Sequence, residues 1–333
     1  MLRRPPPRSA SLAGGDPHRP QPGHHLWRHG HRPPIRTACG LCGTDLHILQ
    51  GEFAPTLPVV PGHEFAGEVV GLGSEVTELA IGDRVAVDPS LYCNECRYCR
   101  VGRNNLCDRW QAIGVTVAGG AAEYAVAPVA NCVRLPDHVD VQDAALIEPL
   151  SCAVRGYDVL SSRLGSHVLI YGSGTMGLMM LELAKRTGAA SVDVVDVNPE
   201  RLTTAEKLGC SQTALSAEEL GRPAGTWWST RPATPPPSRM AWNGLPRPEH
   251  FCSSGYPTTR PRPPSRRTAS TTRRSPSPAP WRCCTATSAQ RNCFATGVLD
   301  PQVFISHRLP LTQYPQALER FAAGQGRKIV VLP

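Results

Sequence analysis

The sequence predicts an α/β fold in which a β-rich domain, built from both ends of the chain, adjoins a doubly wound parallel sheet. Three observations carry this. From about Thr37, short β-rich runs such as Gly67–Val70 and Asp83–Val87 are separated by Gly, Pro and Asp. A continuous apolar run, His167–Tyr171, leads into a glycine-rich turn and a helical pattern, as buried parallel strands do. The last forty residues, from Phe294, regain globular character, with a helix over Tyr314–Ala323 and a strand over Lys328–Leu332.

The middle elements follow in order. Leu178, Met179, Leu181, Leu183 and Ala184 fall close to helical spacing, so Met176–Thr187 reads as a helix. Val192, Val194 and Val195 give the next strand and Arg201–Leu208 the next helix, completing a β-α-β-α unit. A chain of 333 residues suggests two domains, and a hydrophobic fraction of 41% suffices for real cores. No apolar run reaches about 18 residues, so no membrane-spanning helix is expected. The first residues carry Arg, Pro and His without an apolar stretch, so no secretory signal is expected and the cytoplasm is the expected location.

A formal charge of +8 invites a nucleic-acid or membrane-surface partner, but its placement matters more than its sum. Residues 1–36 hold seven Arg and one acid, Asp16; residues 222–293 hold twelve Arg, no Lys and one acid, Glu249. The remainder is acidic. The same two stretches hold 22 of the 34 Pro and five of the six Trp. Without Lys or interleaved aromatics, the Arg runs argue against a nucleic-acid surface.

Four of the 13 Cys sit at Cys93, Cys96, Cys99 and Cys107. Thiolates two residues apart can face one centre, and four satisfy tetrahedral zinc. With every position filled by protein, this zinc is expected to be structural. A second constellation is Cys42-Gly43-Thr44-Asp45-Leu46-His47 with Gly62-His63-Glu64. On their residues alone, the plainer readings prevail, Cys42 as a buried thiol and His63 as a hydrogen-bonded core histidine.

Gly172-Ser173-Gly174-Thr175-Met176-Gly177 directly follows a strand and opens a helix, and Asp196 ends the next strand. Glycines there allow a tight turn and close approach of a pyrophosphate at the helix N-terminus. Thr175 and Met176 fall in that first turn. A carboxylate at Asp196 can accept from both ribose hydroxyls and repels a 2′-phosphate, so NAD is expected over NADP. Arg201 reads either as an adenosine-ribose contact or as a solvated helix charge.

The strings CGTDLH and GHEFAGEVVGLGSEV and the four-cysteine lobe together resemble the zinc-dependent medium-chain dehydrogenases, nearest the sorbitol, threonine and polyol branch. The resemblance covers about 37–225 and 294–333. It implies a GroES-like catalytic domain and a Rossmann domain, with two zinc ions per chain. It implies a catalytic zinc held by Cys42, His63 and Glu64, with Glu148 supplying a direct or water-mediated fourth group. Asp45 would orient a ligand such as His63. Cys39 and Cys152 have no counterpart role and read as buried thiols. The implied reaction is NAD-linked oxidation of a secondary alcohol on a polyol, cyclitol or amino alcohol. Thr44 takes the leaving proton and His47 returns it to solvent through the cofactor ribose. The resemblance also implies a homodimer or homotetramer.

Residues 222–293 fall where the second half of the sheet belongs, yet no period of 2 or 3.6 survives, and Pro excludes central strands. One reading is a disordered basic insert. The other is translation out of frame: shifted codons around Trp227–Pro232 and Phe251–Tyr256 permit valine- and glycine-containing strands. Around Trp281–Cys293 they permit a strand end and a helix running into Phe294. The three agreements favour a pair of shifts, near Gly225 and Cys293, which would disrupt half the sheet and damage the subunit interface. A poor enzyme, or a catalytically impaired zinc protein, is then expected. Residues 1–36 share the Arg/Pro/His flavour and read as an aberrant or disordered leader. The expected organisation is this leader, a catalytic domain over 37–150, a nucleotide domain over 151–293, and a return to the catalytic domain over 294–333.

Overall fold

Strand β1 (Pro34–Gly40) pairs with three other strands and so organises the first sheet. The structure, a computed structural model, describes residues 34–52, 55, 57–159, 164–220, 226–229, 251–253 and 288–333. The leader's last three residues, placed outside the fold by sequence, belong instead to β1. Ile35 is fully buried opposite Val69 and Ala125, and Pro34 occupies the strand's first position, where its missing N–H breaks no ladder. Residues 1–33 lie outside the described residues.

Helix α1 (Gly43–Leu49) follows, then β2 (Glu64–Val69) and β3 (Arg84–Val87). The two-residue strands β4 (Ser90–Leu91) and β5 (Gln111–Ala112) pair across the base of the four-cysteine lobe. After β6 (Tyr124–Val126) and β7 (Cys132–Arg134), α2 (Ile147–Val159) leads into the second sheet. That sheet contains β8 (His167–Tyr171), α3 (Thr175–Arg186), β9 (Ser191–Val195), α4 (Pro199–Lys207) and β10 (Gln212–Ala214). It continues through β11 (Thr226–Ser229) and β12 (Phe251–Ser253). The chain returns through α5 (Ser288–Ala295), α6 (Pro301–Phe304), β13 (Ile305–Pro310), α7 (Tyr314–Ala322) and β14 (Lys328–Leu332).

The first sheet has the order β13-β14-β1-β2-β3-β7, with β6 also on β1, so strands from both chain ends close it. The second is parallel, in the order β10-β9-β8-β11-β12. A reversal of strand order between β8 and β11 opens a crevice at their carboxyl ends, the usual ligand site of such sheets.

Here the expectation of no central strand in 222–293 is corrected: β11 lies between β8 and β12. Neither four-residue Thr226–Ser229 nor Phe251–Ser253 contains proline, so each keeps the N–H groups the ladder needs. Both fall where the shifted codons also permit strands, and α5 falls where they permit a helix. Residues 221–225, 230–250 and 254–287 lie outside the described residues.

One core spans both sheets. Ala38, Ala66 and Val330 from the first join Val168, Ile170, Leu178, Met180 and Val194 from the second, with Ile147 and Leu150 of α2 between. This continuity fixes β1 and β2 relative to the glycine-rich turn. No helix among the described residues is long and apolar enough to cross a membrane.

Candidate active site and metal centres

The cysteine lobe folds as its spacing demands. The Sγ atoms of Cys93, Cys96, Cys99 and Cys107 lie within 4.8 Å of one another, with Cys96–Cys99 at 3.6 Å and Cys93–Cys99 at 4.0 Å. Four thiolates on one zinc at about 2.3 Å stand about 3.8 Å apart, so the cage fits the ion, while no pair approaches a disulfide bond. Asn94 takes a left-handed φ of 59°, which turns the chain between the first two ligands. Backbone N–H groups, that of Glu95 foremost, hold the Cys93 thiol down to about 6. The N–H of Cys96 donates to Cys93 Sγ and that of Cys93 to Cys107 Sγ, at 3.3 and 3.4 Å.

The second centre is built where β1, α1 and β2 meet. Cys42 caps α1: its N–H donates to Asp45 Oδ2 at 2.8 Å, and the Asp45 N–H donates back to Cys42 O at 3.1 Å. Cys42 Sγ lies 3.7 Å from Thr44 Oγ1. Gly62, just before His63 and Glu64, has φ +93°, and a Cβ there would sit 2.5 Å from Cys39 Sγ and 2.7 Å from Ala121 N. Only glycine fits, and His63 can therefore directly precede β2, whose first residue, Glu64, pairs with Gly40 of β1.

Donor atoms of Cys42, His63 and Glu64 lie within 4.8 Å of one another. His63 and Glu64 are buried, and His63 Nδ1 is buried without a hydrogen-bond partner. A thiol, an imidazole and a carboxylate converging in a buried pocket suit a zinc ion with three protein ligands and one open position. Burial works against a charged His63, but the Cys42 contact and the charges of Glu148 and Asp45 outweigh it and raise its pKa well above the ordinary value.

Glu148 stands apart from that three-residue cluster. It is buried in the first turn of α2, where Ser151 Oγ donates to its backbone carbonyl at 2.7 Å. Burial first, and Glu64 after it, push its carboxyl up to about 7 against the pull of His63. Cys152, expected as a buried thiol, is half-buried, and its Sγ lies 3.6 Å from Glu148 Oε1. The expectation for Cys39 holds: it is 1% exposed. Asp45, expected to orient His63, makes its hydrogen bond to the backbone of Cys42 instead. Its Oδ1 is buried without a hydrogen-bond partner, and its interaction with His63 is one of charge. His47 projects from the last turn of α1, half-buried, with Nδ1 2.9 Å from Glu52 Oε2.

The nucleotide turn is assembled as the glycine pattern requires. Gly172 has φ +99°, Gly174 caps α3, and the space where a Gly174 Cβ would stand is open. Thr175 and Met176 begin α3, so their backbone N–H groups have no partner within the helix. Asp196 is anchored on both oxygens: Ser173 N–H and Oγ reach Oδ2 at 2.7 and 3.2 Å, and Asn198 N–H reaches Oδ1 at 2.9 Å. Arg201, read by sequence as a ribose contact or a solvated charge, donates to Gly324 O at 3.1 Å and so ties α4 to the turn before β14.

Sequence reasoning missed three residues here. Ser173 holds Asp196, and its position inside the glycine pattern was the available signal. Tyr314 buries its hydroxyl within range of the Asp45 and Cys39 charges, and nothing local announces it. Lys328 donates to Glu64 Oε2 and, at 2.9 Å, to Leu41 O.

Residues 36–137 match the alcohol dehydrogenase GroES-like domain, a span that contains both candidate metal centres apart from Glu148 and Lys328. Over this span the chain is similar to the alcohol dehydrogenases. It is 41% identical over 188 residues to an L-threonine 3-dehydrogenase of Alteromonas mediterranea, covering 54% of each chain. It is 40% identical over 206 residues to a D-altritol 5-dehydrogenase of Agrobacterium fabrum, covering 60% of this chain and 58% of that one. The chain thus spans little more than half the length of these curated relatives. Among solved structures, a protein of Sinorhizobium meliloti 1021 assigned as a zinc-binding dehydrogenase and bound to NADP superposes with a TM-score of 0.78. It is 28% identical, over 92% of this chain and 93% of that one.

Proposed function

We propose that the chain is a zinc- and NAD-dependent dehydrogenase that oxidises a secondary alcohol of a polyol, cyclitol or amino alcohol to a ketone. The observation that carries this is the convergence of Cys42 with the buried His63 and Glu64, within electrostatic reach of the buried Glu148. The threonine and altritol dehydrogenases among its relatives act on alcohols of this kind.

Cys42, His63 and Glu64 would hold the catalytic zinc, with Glu148 beside them, and the four cysteines 93, 96, 99 and 107 would hold the structural one. When bound, the catalytic ion supplies Lewis acidity that lowers the pKa of an alcohol. The chain's own residues do the rest. Thr44, buried beside Cys42, takes the alcohol proton at Oγ1. His47, half-buried and paired with Glu52, would return that proton to solvent. The turn at 172–177 receives the pyrophosphate, Asp196 the adenosine ribose, and the covered core around α2 keeps water from the hydride path. The Asp196 carboxylate favours NAD over NADP. The catalytic domain extends over 34–150 and 294–333, the nucleotide domain over 151–293, and the enzyme is cytoplasmic and assembles as a homodimer or homotetramer.

Expression, metal analysis and an NAD-reduction assay over threonine, sorbitol, arabinitol, altritol and aminocyclitols test the reading. Two zinc ions per chain and turnover on one of these alcohols, both reduced by Cys42→Ala, are expected. Full turnover in that variant would overturn it.

A second reading is favoured by the composition of 222–293. The residues there are Arg- and Pro-rich where the cofactor domain needs buried strands, in keeping with two frame shifts in the gene. On that reading the chain holds both zinc ions but binds cofactor weakly. Titration with NADH separates the two: a dissociation constant far above the micromolar range supports the impaired form.

A further inference from the structure

The chain contains three lysines against 32 arginines, and one of the three, Lys328, is 3% exposed. A lysine is almost never buried to that degree without a partner that holds its charge. Its partners explain the placement. β1 carries Gly40 opposite Glu64 of β2 on one side and opposite Val330 of β14 on the other. The side chains of Glu64 and Lys328 therefore approach each other over Gly40. A Cβ at Gly40 would stand 2.7 Å from Glu64 Oε2 and 3.2 Å from Lys328 Cδ, so the absent side chain is the space the pair occupies. The ammonium donates to Glu64 Oε2 and to the carbonyl of Leu41, the residue before Cys42. One cation thus ties together two of the segments that supply the metal cluster.

We propose that Lys328 is a positioning residue of the catalytic metal centre, holding Oε2 of Glu64 so that this carboxylate offers a divalent ion at Cys42 and His63 a single oxygen. The proposal rests on the zinc-site reading above. A carboxylate that shares one oxygen with an ammonium is a weaker and more directional donor than a free one, which can close on an ion with both oxygens. The local charges point the same way. Cys42, Glu64, Glu148 and Asp45 can together present four negative charges to a divalent ion, and Lys328 offsets one of them within the pocket.

The experiment is zinc-chelator competition and cobalt substitution on the full chain, in wild type, Lys328→Met, Glu64→Gln and the double variant. The four-cysteine site, which Lys328 does not touch, reports folding in each. Lys328→Met is expected to tighten zinc at the catalytic site by about tenfold, the scale of effects from groups that hold metal ligands. The visible absorption of bound cobalt is expected to weaken as the ion gains a ligand oxygen. In the Glu64→Gln background the same substitution is expected to change neither readout, because Lys328 acts through Glu64. Should Lys328→Met lose the four-cysteine ion, Lys328→Gln replaces it, with tightening again expected. Unchanged or weaker zinc binding in the folded variant, or an equal shift without Glu64, overturns the proposal. A wild-type chain that binds only the four-cysteine ion overturns the zinc-site reading and this proposal with it; two ions with no effect of Lys328 overturn this one alone.

Discussion

Ser173 donates its backbone N–H to Asp196 Oδ2 at 2.7 Å, and its hydroxyl reaches the same oxygen at 3.2 Å. Asn198 N–H holds the other oxygen, so the carboxylate is fixed in place at the carboxyl end of β9. On the proposed reading, in which Asp196 receives the adenosine ribose, its carboxylate repels a 2′-phosphate. Asp196→Ser is therefore expected to raise NADPH affinity relative to NADH by about tenfold or more, equivalent to ~1.4 kcal/mol. Fluorescence titration of both cofactors checks it; an unchanged ratio would place the ribose elsewhere.

Gly177 packs against the turn it follows. A Cβ there would stand 1.7 Å from Gly172 O, a backbone atom with no room to retreat. Gly177→Ala must separate α3 from β8 and disturb a core that includes Leu178 and Ile170. The expected cost is about 1–3 kcal/mol or more, read as a lower Tm, and cofactor affinity is expected to fall with it. A variant with wild-type Tm would show that the helix can shift freely.

The sequence made legible what is local in the chain. The four-cysteine cage is spanned by fifteen consecutive residues, 93–107, so spacing alone announces it. The glycine turn and Asp196 are likewise separated by one helix and one strand. Cys42 and His63 converge only because β1 and β2 pair, and their joint role is readable through resemblance rather than spacing. Lys328 is not readable at all: its bond to Glu64 crosses 264 positions, and a lysine opening the final strand looks like any surface residue. Arg and Pro dominate 1–36 and hide the start of β1, whereas the single buried Ile35 decides the strand. Composition also hides β11 and β12, whose residues contain no proline although their surroundings do.

The four-cysteine lobe has few apolar contacts of its own: within 93–107 the buried residues are Cys93 and Cys107. On the proposed structural-zinc reading its order comes from the metal, and metal-binding free energy is then folding free energy for the lobe. Cys99→Ser is expected to halve zinc content from two ions to one per chain. Proteolysis is expected to begin between Arg97 and Arg109, where the exposed arginines offer cleavage sites. Retention of both ions would show that the ion is held elsewhere.

Asp88 links the lobe to the first sheet. It is 8% exposed, its Oδ1 accepts from Ser90 N–H at 2.9 Å, and Asn131 Nδ2 donates to its backbone carbonyl at 2.7 Å. Burial, opposed by the Ser90 N–H and aided by the Glu148 charge, raises its carboxyl from 3.8 to about 7. The folded chain therefore holds a proton there that the unfolded chain releases between about pH 4 and 7. Over that window the unfolded state binds fewer protons, so this group's contribution to stability is fullest below pH 4. It declines by about 1.4 kcal/mol per pH unit across the window and is gone once the pH has risen through 7. Asp88→Asn keeps the oxygen that Ser90 needs and removes the titration. Urea unfolding at pH 5 and pH 7.5 is expected to show a smaller loss of stability in the variant than in the wild type. An equal loss in both would assign the dependence to another group, with Glu148, raised to about 7 by the same burial, the first to replace.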